Sequence, residues 1–241
     1  MLGALGDFLP PQRREDSFEV TFELPVGLRD LIQSVGVPHV EVGPVTLDGR
    51  PADWSARVDD GAEVVAQSRY PLARPPAEAR LLTDVHLGRV TGYLRLVGLD
   101  VRHDQDLDDP ALVAAANAEK RILLTRDRRL LMTGALERGS FVRATEPLQR
   151  AVEIVDRFAL RPLLRPFTRC TVCNGELAAA RPDEVAGRVP PTVQARHAVF
   201  RACPGCGRVY WEGSHHARLS DVVGAILEPP PGGAADPMTD R

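Results

Sequence analysis

Hydrophobic and polar positions change period several times along this chain, and each change predicts an element. Phe18, Val20, Phe22 and Leu24 alternate with polar residues, which predicts a half-buried strand ended by Pro25. Leu28, Leu31, Ile32 and Val35 then recur at helical spacing, with Gly36 where such a helix would stop. An apolar-rich stretch from Val40 to Leu47 runs into Asp48-Gly49, a hairpin-turn signal, and Glu63 to Ala66 is a last short strand after the Asp59-Asp60-Gly61 turn. Beyond residue 80 the runs become short and fully apolar, as in buried parallel strands. Leu81-Leu82-Thr83, Leu99-Asp100-Val101 and Arg121 to Thr125 alternate with helical patterns. The first helix carries Leu87, Val90, Leu94 and Val97, with Gly98 at its end, and leaves Arg89 and Arg95 off the apolar stripe. The second runs from Asp109-Pro110 to Glu119, and the third from Arg128 to Leu136. A strand at Ser140 to Arg143 and an amphipathic helix through Leu148, Val152, Val155 and Phe158 come next.

These patterns divide the chain. Residues 1–16 are expected to be a flexible N-terminus. Residues 17–70 predict a small β-grasp, ubiquitin-like domain. Residues 71–79, with their prolines, predict a stiff linker. Residues 80–160 predict an α/β domain with a parallel sheet, residues 161–220 a metal-binding unit, and residues 221–241 a disordered tail that is richest in Pro, Gly and Asp from 229 on. Sulfur carriers and modifiers built on the β-grasp end in a free Gly-Gly. Here the last strand runs on into Tyr70 to Pro76, so conjugation chemistry is not expected. The module is left as an interaction or RNA-positioning unit for a partner, or as a scaffold for its neighbour.

Each strand of the second module leads into acid. Leu82-Thr83 is followed by Asp84; the second strand reaches a loop with Asp104, Asp106, Asp108 and Asp109; Leu124-Thr125 is followed by Arg126-Asp127. Parallel, adjacent strands would bring Asp84, Asp109 and Asp127 to one edge, where ligands of open α/β sheets bind. Clustered carboxylates with no organic-cofactor motif point to a hard divalent ion, Mg²⁺ or Mn²⁺, and to phosphate chemistry. The competing reading makes them helix caps. Asp109 before Pro110 is a strong helix start, and Asp127 is placed to cap the helix that begins at Arg128. Glu119, late on a helix, is a minor candidate. A dehalogenase-type phosphatase would need Asp-x-Asp, and His86 stands two residues past Asp84. No Gly-rich phosphate loop is present.

Cys170-Thr-Val-Cys173 and Cys203-Pro-Gly-Cys206 are two knuckles, and four thiolates suit a closed tetrahedral zinc with no position for catalytic water. The pairs lie 29 residues apart, so Ala178 to Pro191 is expected to loop out. Tyr210-Trp211 beside the second knuckle either stacks on a base or packs against the knuckle.

Composition changes the picture in two places. The chain carries a formal net charge of −3, yet residues 138–218 hold 13 arginines against 7 acids, a net +6. That module suits a polyanion, although Lys120 is the only lysine and arginine use is general. No apolar run is long enough to span a membrane, the first ten residues lack a secretory pattern, and a cytoplasmic location is expected. Four cysteines in a reducing compartment favour metal over disulfides.

Taken together, Leu82 to Arg89, Tyr93 to Val101 and Ile122 to Asp127, followed by the cysteine pairs, resemble the Mut-seven carboxy-terminal RNase family of PIN-like nucleases. The resemblance spans about 81–218, and a ubiquitin-like module in front matches a known arrangement. It implies a three-layer PIN-like sheet with a zinc ribbon, and metal-dependent hydrolysis of RNA. Asp84, Asp109 and Asp127 would hold Mg²⁺ or Mn²⁺, with Asp108, Arg89 and Arg126 in support. A fourth acid found in many PIN nucleases has no counterpart here. The alternative is a non-catalytic RNA-binding adaptor on the same fold.

Overall fold

The computed structural model describes residues 3–14, 17–22, 26–214 and 216–229. In the N-terminal unit, β1 (Val26–Gly27) leads into α1 (Leu28–Ser34), followed by β2 (Val42–Leu47), β3 (Arg50–Ala52), β4 (Arg57–Val58) and β5 (Val64–Ser68). β2 is the centre of an antiparallel sheet ordered β3-β2-β5, and β1 pairs with β4. Asp48 and Gly49 both adopt positive φ, 50° and 73°, as the two-residue hairpin between β2 and β3 requires. Leu28, Leu31 and Ile32 of α1 close the core over Val42, Val45 and Val58.

Two expectations for this unit are corrected. The alternation at 17–22 is realised as burial, with Phe18, Val20 and Phe22 packed against the core, but no strand forms there; 23–25 lie outside the described residues. Period-2 patterning chooses a face and does not supply a partner for the ladder. The stretch expected to be a flexible N-terminus forms a 3₁₀ helix at Gly3–Phe8, and Leu5, Phe8 and Leu9 are buried.

The second unit contains β6 (Arg80–Thr83), α2 (Gly88–Leu96), β7 (Asp100–His103), α3 (Asp109–Ala118), β8 (Ile122–Thr125), α4 (Arg128–Leu131), β9 (Gly139–Phe141) and α5 (Pro147–Arg157). All four strands are parallel in the order β7-β6-β8-β9. Successive residues serve opposite layers. Leu81, Val101, Ile122 and Leu124 meet Leu94 of α2 and Val155 of α5, whereas Leu82 and Leu123 meet Leu112 of α3 and Leu130 of α4. The result is the expected three-layer α/β arrangement. α4 stops after one turn instead of reaching Leu136, since Thr133-Gly134 is a poor continuation and the chain must turn back into β9.

The last unit is a three-stranded antiparallel sheet of β10 (Ala178–Ala180), β11 (Phe200–Ala202) and β12 (Val209–Trp211), with α6 (Pro191–Arg196) between β10 and β11. The segment expected to loop out therefore begins as a strand of the ribbon, paired through Ala179 with Arg201. Its later part is anchored by Val185 and Val189 against Phe200. α7 (His216–Leu227) crosses back to the second unit and buries Val223 and Ile226 beside Phe158. It occupies 221–227, placed in the tail by sequence reading; residues 230–241 lie outside the described residues.

Charged groups join the first two units. Glu41 is fully buried and accepts from the Phe141 N–H (2.5 Å), the Ser140 hydroxyl (3.1 Å) and Arg157 Nη2 (2.6 Å). The Arg157 guanidinium lies 4.6 Å from the centroid of Tyr70, whose hydroxyl donates to the Gly139 carbonyl. Burial, with Glu41 nearby, pushes the Tyr70 hydroxyl up to about 12. Nearby, Arg128 and Arg143 lie over the rings of both Phe8 and Phe141.

Candidate functional site

The parallel order places the ends of β6, β7 and β8 side by side. Asp84 comes directly after β6 and is buried, 5% exposed. Its Oδ1 accepts from the His86 N–H at 3.0 Å, and its Oδ2 accepts from the Thr125 hydroxyl at 2.5 Å. The same Thr125 oxygen accepts from the Asp127 N–H at 2.8 Å. One hydroxyl at the end of β8 thus ties the two aspartates to one edge. Asp127 caps α4 through Oδ1, which accepts from Arg129 N–H at 2.7 Å. Each carboxylate keeps lone pairs beyond those bonds, because an ionised carboxylate offers about four acceptor sites.

The third expected acid divides into two residues with different work. Asp108, not Asp109, caps α3: its Oδ1 accepts from Ala111 N–H at 2.9 Å. Asp109 is the first residue of the helix and is exposed, with no hydrogen bond to its carboxylate among the described residues. Capping therefore explains Asp108 and leaves Asp109 unexplained by local structure. The acids do not close on one point. Among the described residues, the only set of three or more His, Cys, Asp or Glu ligand atoms within 4.8 Å of one another is the four cysteines.

The supporting arginines are placed differently from expectation. Arg126 Nη1 donates to the carbonyls of Val142 (3.0 Å), Arg143 (2.9 Å) and Ala144 (2.5 Å), so it clamps the chain after β9. Arg89, exposed on the first turn of α2, lines a groove that faces the cysteine unit. Glu119 pairs with Arg102 and Arg121, and Asp104 with Arg102; both belong to an ion-pair network. His103, the last residue of β7, was missed by sequence reading. Its Nδ1 lies 3.0 Å from the Thr83 hydroxyl, and its Nε2 is buried without a partner. Its position at the end of a parallel strand was the available signal.

The four cysteines do converge. Cys170 and Cys206 Sγ atoms lie 3.6 Å apart, and Cys173 and Cys203 Sγ atoms 3.3 Å apart. Zn–S bonds of about 2.3 Å in a tetrahedron require S···S of about 3.8 Å, so four thiolates here fit a zinc ion after a small expansion. Burial raises the Cys170 thiol, but the N–H of Cys173 and the hydroxyl of Tyr210, 3.0 Å from Sγ, outweigh it and bring Cys170 down to about 6. At Gly175 a Cβ would meet Cys203 Sγ at 3.0 Å, so any larger residue there would require the sulfur to shift.

Two side chains weld this knuckle to the sheet. β7 is an edge strand, and both outward backbone groups of Val101 are taken. Asn174 Oδ1 accepts its N–H (3.0 Å), and Arg95 Nε donates to its carbonyl (2.8 Å). Arg95 also donates through Nη1 to the knuckle carbonyls of Val172 (2.7 Å) and Thr171 (3.3 Å). It is buried, although helical spacing set it apart from the apolar stripe. Asn174 Nδ2 donates to Asp100, which also receives Arg121. Gly98, with φ 91°, completes the contact: a Cβ there would meet the Arg165 carbonyl oxygen at 2.2 Å.

A parallel α/β domain with acids at its carboxyl edge, a docked β-rich unit before it and a four-cysteine ribbon after it define a class of nuclease-like architecture. The family model described as Mut7-C RNAse domain matches residues 79–223, and the one described as Mut7-C ubiquitin matches residues 1–75. The chain belongs to the Mut7-C RNAse domain family and carries that family's ubiquitin-like domain in front. Comparisons with curated proteins and with solved structures gave no match. Among the described residues, no helix is long and apolar enough to cross a membrane.

Proposed function

We propose that this protein is a metal-dependent ribonuclease that hydrolyses RNA phosphodiester bonds at the carboxyl edge of the parallel sheet. The observation that carries the reading is the Asp84–Thr125–Asp127 connection across the ends of β6 and β8. An all-oxygen donor set of Asp84, Asp127 and Asp109 suits Mg²⁺ or Mn²⁺, and such an ion needs only one or two protein carboxylates, completing its shell with water and substrate phosphate. When bound, the ion would supply activation of water and charge stabilisation for in-line attack at phosphorus. The chain's own contribution is placement. Thr125 and the His86 N–H hold Asp84 in one rotamer, the α4 cap holds Asp127, and Asp109 stands exposed on the first turn of α3. Zinc in the four-cysteine cluster has a structural role, since four thiolates leave no open position. The basic ribbon side holds the RNA backbone.

A second reading, a non-catalytic RNA-binding adaptor, is favoured by two observations: the three acids are not closed to ligand distance, and Arg126 is spent on backbone carbonyls. The two readings separate on a labelled single-stranded RNA incubated with Mn²⁺, with Mg²⁺, or with neither added. Cleavage that appears only with the divalent ion and is lost in Asp84→Asn and Asp127→Asn supports the ribonuclease. RNA binding without cleavage under every metal condition supports the adaptor.

A further inference from the structure

A groove of about 770 Å³ lies between α2, the hairpin of β11 and β12, and the start of α7. The metal-site reading makes no use of it. One wall is a single face of α2, on which Arg89, Gly92, Tyr93 and Leu96 succeed one another at helical spacing. That face covers about 10 Å along the helix axis. It begins at Arg89, five residues after Asp84, on the turn of α2 that follows the acidic end of β6. The opposite wall is the hairpin of β11 and β12, in which Arg201 and Tyr210 share one face and Phe200, Val209 and Trp211 the other, and Phe167, stacked on His216 with ring centroids 5.0 Å apart, helps to close the end.

Two features choose the occupant. The first is charge. Arg89, Arg169, Arg201 and Arg208 line the groove against one acid, Glu212, in a chain whose formal net charge is −3. Arg169 is engaged with the Gly98 and Asn174 carbonyls, but Arg89, Arg201 and Arg208 are exposed and make no side-chain hydrogen bond or ion pair among the described residues. The second is the aromatic lining. Trp211 is 37% exposed, and the backbone of Gly213 passes so close beside it that a Cβ would stand 2.7 Å from the indole Nε1. Tyr93 and Phe167 are half-buried in the same lining. Free guanidinium groups beside aromatic rings are what an unpaired polynucleotide uses: arginines track the backbone and rings accept bases. A duplex hides its base faces, and an acidic peptide has none to stack.

We infer that this groove binds single-stranded RNA, with bases stacked on Trp211 and the backbone held by Arg89, Arg201 and Arg208, and so guides the strand toward the acidic edge. This deepens the ribonuclease reading by assigning its substrate as unpaired RNA, and it can fail separately from that reading. The test uses the full chain with Trp54→Phe, which leaves Trp211 as the sole tryptophan. Single-stranded oligouridylate should quench Trp211 emission on binding. By anisotropy, Arg201→Ala with Arg208→Ala should weaken affinity at least about 10-fold and flatten log Kd against log salt by about 1.4, two phosphate contacts at about 0.7 each. Trp211→Ala in the natural chain should weaken it about 5- to 150-fold. Arg89→Ala, on the opposite wall and outside the zinc unit, repeats the charge test if the ribbon variants lose zinc. No quench, an unchanged Kd in these variants, or tighter binding of a duplex or a polyglutamate peptide would overturn the inference. Quenching without cleavage would count against the catalytic reading alone, and cleavage without quenching against the groove alone.

Discussion

Replacing Glu41 with alanine tests how the ubiquitin-like unit is held. The carboxylate is 0% exposed and receives the Phe141 N–H, the Ser140 hydroxyl and Arg157 Nη2, with Arg143 Nη2 at 3.5 Å. Truncation removes three hydrogen bonds and leaves the Arg157 guanidinium, 11% exposed, without its nearest counter-charge. Breaking one partner of a buried pair costs about 3–5 kcal/mol, chiefly because the remaining charge stays desolvated. For a chain of this size each kcal/mol moves Tm by about 2–4 °C, so the expected drop is about 6–20 °C. Glu41→Gln, which keeps shape and an acceptor, should fall between wild type and alanine. Asp183→Ala, at a surface pair whose side chains are 70% and 68% exposed, should leave Tm unchanged. Thermal unfolding monitored by far-UV circular dichroism measures all three. A Glu41→Ala shift no larger than that of Asp183→Ala would refute the idea that this buried cluster fixes the unit in place.

The same physics predicts two further outcomes. His39 sits between the units with Nε2 2.8 Å from the Leu136 carbonyl, and burial, then Arg29 and Arg69, hold its pKa below 6.5 against the opposing pull of that carbonyl. The unfolded chain therefore takes up a proton first, and stability should be lost as pH falls from about 6.5 toward the lower folded value; Tm measured from pH 7.5 to 5 should decline less steeply in His39→Gln. Arg95→Met should leave the carbonyls of Val101, Thr171 and Val172 without their donor, at a cost of about 2 kcal/mol or more. It should also release zinc faster to a colorimetric chelator, whereas release at the wild-type rate would show that Arg95 does not hold the knuckle.

Much of this architecture is visible in the residues, and the parts that are not have physical reasons. Short apolar runs such as Leu81-Leu82 and Ile122 to Leu124 announce buried parallel strands because both faces are covered, and paired cysteines announce their cluster because ligand geometry constrains spacing. The burial of Arg95, which helical spacing set off the apolar stripe, depends on carbonyls supplied from residues 171 and 172, some 76 positions away. Asp108 and Asp109 could not be told apart, since adjacent residues of one chemistry differ only by where the first helical turn starts. β10 is three alanines, with no alternation to read; β11 makes it a strand by pairing with it. Leu5, Phe8 and Leu9 look like a loose end until Arg128 and Arg143 cover Phe8 from the next unit.

The most direct measurement is the single-turnover rate of single-stranded RNA cleavage at saturating Mn²⁺ for wild type and Asp84→Asn, with matched zinc content and Tm. Wild type should cleave only with Mn²⁺, and the variant should be slower by at least about 100-fold, the scale on which loss of one transition-state-stabilising group is felt. Equal rates in the two proteins would contradict the metal-site reading.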